Sequence, residues 1–296
     1  MRNARRKFPP MTLLPTWLIL GAFFLAPLLI MFTVSFRERG LHGGIEPIEN
    51  LKEYVHSDAL FQNYKDSQER PYPQIFGRSL WMAVVTTILC LIVSYPMAYY
   101  IALIARKQRK NLLLALVAVP FWTSFLIRTY AWVLILRSEG LLNTALLHLH
   151  LIREPLQLLP SNFAIMLGLV YGELPFMILP LYASLEKLDR SLLEASNDLG
   201  AGSWSTFWRV TVPLTMPGII AGVVLVFIPS IGQYVVSDVL GEGKLMLVGN
   251  VIQEQFGAAR NPPFGSALAF ELTAVVLVLL MIYAVYAKRG KQEAML

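Results

Sequence analysis

Six apolar blocks, each near the length that carries a helix across a bilayer, leave this chain few ways to fold; they lie near residues 13–36, 77–104, 111–136, 162–184, 214–235 and 265–287. About 20 apolar residues span a hydrocarbon core of ~30 Å as a helix, whereas a spanning strand is about half as long and alternates in polarity. Lipid offers the backbone no partners, so blocks of this length must satisfy their own peptide groups as helices. Composition agrees, with 56% of the 296 residues hydrophobic and 15% charged, against about 25% charged in soluble domains. The expected fold is all-α: a polytopic membrane protein of about six transmembrane helices, one domain over 1–296.

The net charge of +6 is held in short clusters beside the apolar blocks. Nucleic-acid binding would need a basic face, and none is laid out here. Arg2, Arg5, Arg6 and Lys7 precede the first block; Arg106, Lys107, Arg109 and Lys110 join the second to the third; Lys288, Arg289 and Lys291 follow the sixth. Loops 137–161 and 236–264 carry two Lys or Arg each. The positive-inside rule therefore places both termini in the cytoplasm and those two loops outside. The first apolar run is too long for a leader peptide and lacks a small-x-small cleavage site, so it is expected to be a retained span. The single cysteine, Cys90, lies inside an apolar block and excludes an intrachain disulfide.

Prolines fall inside the blocks at Pro27, Pro96, Pro120, Pro175, Pro180 and Pro229. Each bends its helix or serves as a hinge. Ala164, Gly168 and Gly172, and again Gly218 and Gly222, put small residues at four-residue spacing, a face suited to close helix approach within the chain or with a partner.

Residues 185–213 are too polar to span and too apolar for a plain linker. Asp189 can cap a short helix carrying Leu192, Leu193 and Leu199, Gly200-Ala201-Gly202 stops it, and Ser203 can cap a second helix running to Pro213. A helix-turn-helix lying on the cytoplasmic face is expected. Trp204 and Trp208 would also suit a hairpin resting on lipid headgroups.

Within this hairpin the run Glu194-Ala195-Ser196, then Gly200, then nine residues and Val210-Thr211-Val212-Pro213 resembles the EAA motif of binding-protein-dependent ABC importer permeases. Spacing is kept in full; Ser196 replaces an alanine, Val210 an isoleucine and Val212 a leucine. The strings Pro120-Phe121-Trp122-Thr123-Ser124-Phe125-Leu126-Ile127-Arg128 and Pro213 to Gly222 resemble the polyamine (spermidine/putrescine) permeases of that type I importer fold. The resemblance implies a coupling helix that docks on a separate ATPase, with Glu194, Ala195, Ser196, Gly200, Val210 and Pro213 in the docking element. It also implies a second, different permease chain, two ATPase subunits carrying ATP and Mg, an extracytoplasmic substrate-binding protein, and a place in the cytoplasmic membrane of a bacterium.

No enzyme chemistry stands out. A phosphate-binding loop would need G-x-x-x-x-G-K-[ST]; near Gly241-Glu242-Gly243-Lys244 the first glycine is replaced by Asp238, and Leu245 follows the lysine. His42, His56, His148 and His150 show no metal-ligand spacing beyond one i, i+2 pair. The chain itself is expected to hold no cofactor and no metal.

Ionisable groups inside spans cost roughly 2.5–3.5 kcal/mol each on insertion scales and need a reason. Glu173 is placed near mid-bilayer, Arg128 and Glu271 nearer the outside. For a polyamine, a path would use Glu173 with the aromatic faces of Tyr171 and Trp122, and a cation-attracting vestibule of Asp238, Tyr234 and Glu271. The other reading pairs Glu173 with Arg128 to hold helices together. The expected function is a permease subunit translocating a polyamine. The alternatives are a permease for another small solute, such as an amino acid derivative or inorganic anion, and a self-contained channel, which would have no use for an ATPase-docking hairpin. The helix expected near 245–256 and the segment 37–76 offer a platform for the binding protein.

Overall fold

The computed structural model describes residues 14–47, 54 and 58–293. The basic N-terminal cluster and His56 lie outside the described residues. Among the described residues, four helices are long and apolar enough to cross a membrane: α1 (Trp17–Ser35), α2 (Tyr72–Ile104), and the later helices Asn162–Glu186 and Pro262–Met281. Two bent pairs raise this to six if each is one span.

The first bent pair joins α3 (Lys107–Trp122) to the stretch Phe125–His148 at 91°, within which α4 is Phe125–Leu136 and α5 is Leu141–His148. The window 111–136 read as one run is therefore broken at Thr123 and Ser124. Pro120 has no N–H for the Leu116 carbonyl, the chain tightens to a 3₁₀ turn over Val119–Trp122, and Thr123 then turns extended. After α6 (Asn162–Glu186) come α7 (Arg190–Asp198) and α8 (Ser203–Leu214), which meets α9 (Met216–Gly232) at 67°. Then follow α10 (Val235–Leu240), α11 (Val248–Phe256) and α12 (Pro262–Glu293). Pro96, Pro175, Pro180 and Pro229 lie inside continuous helices.

The chain divides into two compact units, residues 1–73 with 251–278 and residues 74–250 with 279–296. In the first, Asn63 Nδ2 donates to the Ser35 carbonyl at 2.9 Å and the Arg37 carbonyl at 2.8 Å, closing the end of α1. Edge-to-face rings pack Phe32 on Phe270 and Tyr72 on Phe264.

In the second unit, α2 and α6 run parallel along a polar seam with a four-residue step. The Thr86 hydroxyl donates to Met166 Sδ, the Cys90 thiol to the Val170 carbonyl and the Ser94 hydroxyl to the Leu174 carbonyl. Cys90 is thus a packing residue. Helix α6 also packs along α9, where Met177, Leu181, Leu185 and Val226 are fully buried. Gly218 lies against Pro180 and Ser184, and Gly222 against Met177. Gly168 faces Val236 and Leu240. Both small-residue stripes are therefore used within the chain, because a side chain there would collide with the facing helix.

Gly218→Val should lower the thermal midpoint of the detergent-solubilised protein, at about the 1–3 kcal/mol of an overpacked core site. Gly21→Ala, whose added carbon meets no atom within 4 Å, should leave it unchanged. Equal midpoints for the two variants would contradict the close approach of α9 to α6.

Candidate functional site

The hairpin begins where Asp189 leaves helical geometry and its carboxylate accepts the Ser191 N–H at 3.0 Å. That bond holds the Asp189 carboxyl below the usual range. Most of helix α7 is exposed, Glu194 and Ala195 included, while Leu193 and Ser196 are half-buried. Gly200 then takes φ +81°, the left-handed turn that favours glycine. The second helix is capped by the backbone of Gly202, without a side-chain bond, and Ser203 is its first residue. Ser203 is therefore no cap: Gly202, already extended at ψ 159°, occupies that position.

A hydrogen bond joins the two helices of the hairpin, and ring contacts anchor the second to α2. The hydroxyls of Ser196 and Thr206 lie 3.0 Å apart across the turn, so the serine standing in place of an alanine makes a bond an alanine could not. Phe207 packs edge-on against Tyr95 of α2 and stacks with Trp204. Past it the backbone slips to π-helical bonding over Phe207–Thr211. Pro213 lacks the N–H that the Arg209 carbonyl would otherwise receive. Val210 lies in that π turn and Pro213 just beyond it. Arg190 Nη2 reaches back to the Leu103 carbonyl of α2 at 3.0 Å.

In the interior, Glu173 is 6% exposed, and its Oε2 has no hydrogen-bond partner. Pro175 and Pro180 deprive the Tyr171 and Phe176 carbonyls of their helical donors, so acceptors outnumber donors along this stretch of α6. Arg128 does not pair with Glu173: its Nε is buried without a partner and its guanidinium lies over the Phe125 ring, 5.8 Å from the centroid. Trp122 stands at the helix break, 84% exposed. The ring against Tyr171 is instead Trp132, with centroids 5.5 Å apart, and Phe121 meets Phe176 at 5.0 Å. Trp132 was legible in the sequence as the residue seven positions after Phe125, on the same helical face.

Tyr234 precedes α10 and Asp238 lies within it; the Asn250 amide donates to the Tyr234 carbonyl and the Asn250 carbonyl oxygen accepts from Ser237 and the Leu247 N–H. Asn250 carried no sequence signal, since one asparagine in a polar loop looks like any other. Asp238 is exposed. Glu271 belongs to the other unit, where Ser67 donates to its Oε1 at 2.5 Å and Gln68 at 3.4 Å. It is held by the segment preceding α2.

Residues 94–291 match the family described as the binding-protein-dependent transport system inner membrane component. The chain is 43% identical, over 96% of its length and 95% of the relative, to the spermidine/putrescine transport system permease protein PotB of Haemophilus influenzae. It is 42% identical to the protein of the same name from Escherichia coli, over 90% of this chain and 92% of that one. In structure it is similar to a chain of a bacterial ABC transporter that imports the acidic polysaccharide alginate, with a TM-score of 0.71 at 16% identity, covering 94% of each chain. This chain belongs to the family of binding-protein-dependent transport system inner membrane components.

Proposed function

We propose that this multi-pass inner membrane protein is the permease of an ABC importer that moves a polyamine, spermidine or putrescine, into the cell. The observation that carries the substrate is Glu173, a buried carboxylate with one oxygen unpaired, on a stretch of α6 whose Tyr171 and Phe176 carbonyls lack helical donors and whose Tyr171 and Phe176 rings meet Trp132 and Phe121. Ammonium groups separated by methylenes suit acceptors interleaved with aromatic faces. The substrate named for the relatives supports the same reading. Trp122, Asp238, Tyr234 and Glu271 remain candidates for the path and its outer mouth.

The whole of 1–296 acts as one transmembrane permease domain, with both termini in the cytoplasm. The hairpin 185–213 is its coupling element, and Glu194, Ala195, Ser196, Gly200, Val210 and Pro213 present it to an ATPase. The partners are a second permease chain of different sequence, two ATPase subunits that hold ATP and Mg, and an extracytoplasmic binding protein. The second reading, an anionic solute, draws on Arg128, whose buried Nε is unpaired.

In the reconstituted complex, spermidine and putrescine should stimulate ATP hydrolysis and a neutral amino acid should not. Stimulation by the amino acid or an anion alone would overturn the polyamine assignment. Glu173→Gln should slow spermidine uptake about tenfold, the loss of one charge-assisted bond, with the ATPase still bound; unchanged uptake removes Glu173 from the path. Glu194→Ala should weaken copurification of the ATPase, and full retention would argue against docking at this hairpin.

A further inference from the structure

A line of hydroxyls runs along the buried side of α8. Thr206, Thr211 and Thr215 are 7%, 1% and 0% exposed. Their spacings of five and four residues stay on one face because the π turn Phe207–Thr211 adds the extra residue. At one end Thr206 meets Ser196 of α7. At the other, Thr215 occupies the single position between α8 and α9, where the chain bends by 67°.

Thr215 gives its one hydroxyl proton to the Thr211 carbonyl at 2.8 Å, with the Val212 carbonyl at 3.2 Å. Its oxygen is then free to accept, and the Tyr95 hydroxyl lies 2.8 Å away. Tyr95 is therefore the donor. It belongs to α2, is 8% exposed and immediately precedes Pro96. A second tie lies nearer the end of α2: Arg190 holds the Leu103 carbonyl, beside the Ala102 carbonyl that Lys110 caps at 2.6 Å.

The hairpin is joined through the backbone to α6 and α9 only. We propose that the Tyr95–Thr215 hydrogen bond is a clasp that makes α2 a third moving helix, carrying displacement of the hairpin into the span that lies along α6 beside Glu173. The clasp rests on the reading of the hairpin as the ATPase-coupled element. Thr215 is the one residue that belongs to neither arm of the bend, so a bond to its side chain follows the bend itself. Tyr95 and Thr215 are positioning residues, their hydroxyls bonded to each other and to the Thr211 carbonyl.

The test uses the complete importer, with its ATPase subunits and binding protein, in proteoliposomes, reading spermidine uptake per ATP hydrolysed. Tyr95→Phe keeps the ring against Phe207 and removes only the hydroxyl; Thr215→Val keeps the shape and removes the acceptor. Each should lower the ratio about fivefold, the size of one neutral buried hydrogen bond, with ATPase copurification unchanged. Thr215→Ser should stay near the parent, and the double variant should be no worse than either single one. A parent-like ratio in Tyr95→Phe, or single losses that multiply in the double variant, would overturn the clasp. The docking reading fails separately, through an ATPase retained by Glu194→Ala.

Discussion

A peptide carbonyl left open in hydrocarbon costs several kcal/mol, and the breaks in these helices are arranged around that cost. At the bend after Pro120, the Thr123 hydroxyl donates to the Pro120 carbonyl. At the bend between α8 and α9, Thr215 donates to the Thr211 carbonyl. Asn63 covers the end of α1, and Arg190 and Lys110 cover the end of α2. Each of these interruptions thus carries a side-chain donor for a carbonyl at the break.

Close packing follows from the same solvent. Lipid tails give helices no hydrophobic reason to associate, so contact depends on small residues and interhelical polar bonds. The Gly218 and Gly222 stripe lets α9 lie against α6, and the seam of Thr86, Cys90 and Ser94 lets α2 lie against its neighbouring side. Against that economy, Glu173 Oε2, like Arg128 Nε, is buried without a partner. A buried carboxylate oxygen with no donor is costly unless something else supplies the donor, and a passing cation is such a donor.

In the hairpin, Phe207 turns inward onto Tyr95 of α2, whereas Trp204 and Trp208 are exposed. Its first helix is exposed except at Leu193 and Ser196, which are half-buried, and Ser196 meets Thr206 of the second. The hairpin is attached at both ends to spans and bonded laterally to α2 by Phe207 and Arg190.

Much of this was written into local sequence. Block lengths set the helices, the Gly200 spacing set the turn, and Asp189 announced its own cap, because these depend on residues a few positions apart. Window hydropathy, however, is a sum without direction, so it read 111–136 as one run and missed the 91° bend at Thr123. Capping potential pointed to Ser203, whereas the hairpin geometry gave the position to Gly202. Depth counted along a straight helix put Trp122 level with Glu173; the chain bends just after it, and the ring that meets Tyr171 is Trp132. The unpaired state of Arg128 and Glu173 and the meeting of Tyr95 with Thr215, 120 positions apart, were decided by the tertiary structure alone, since side chains on different helices meet only once crossing angles and registers are set.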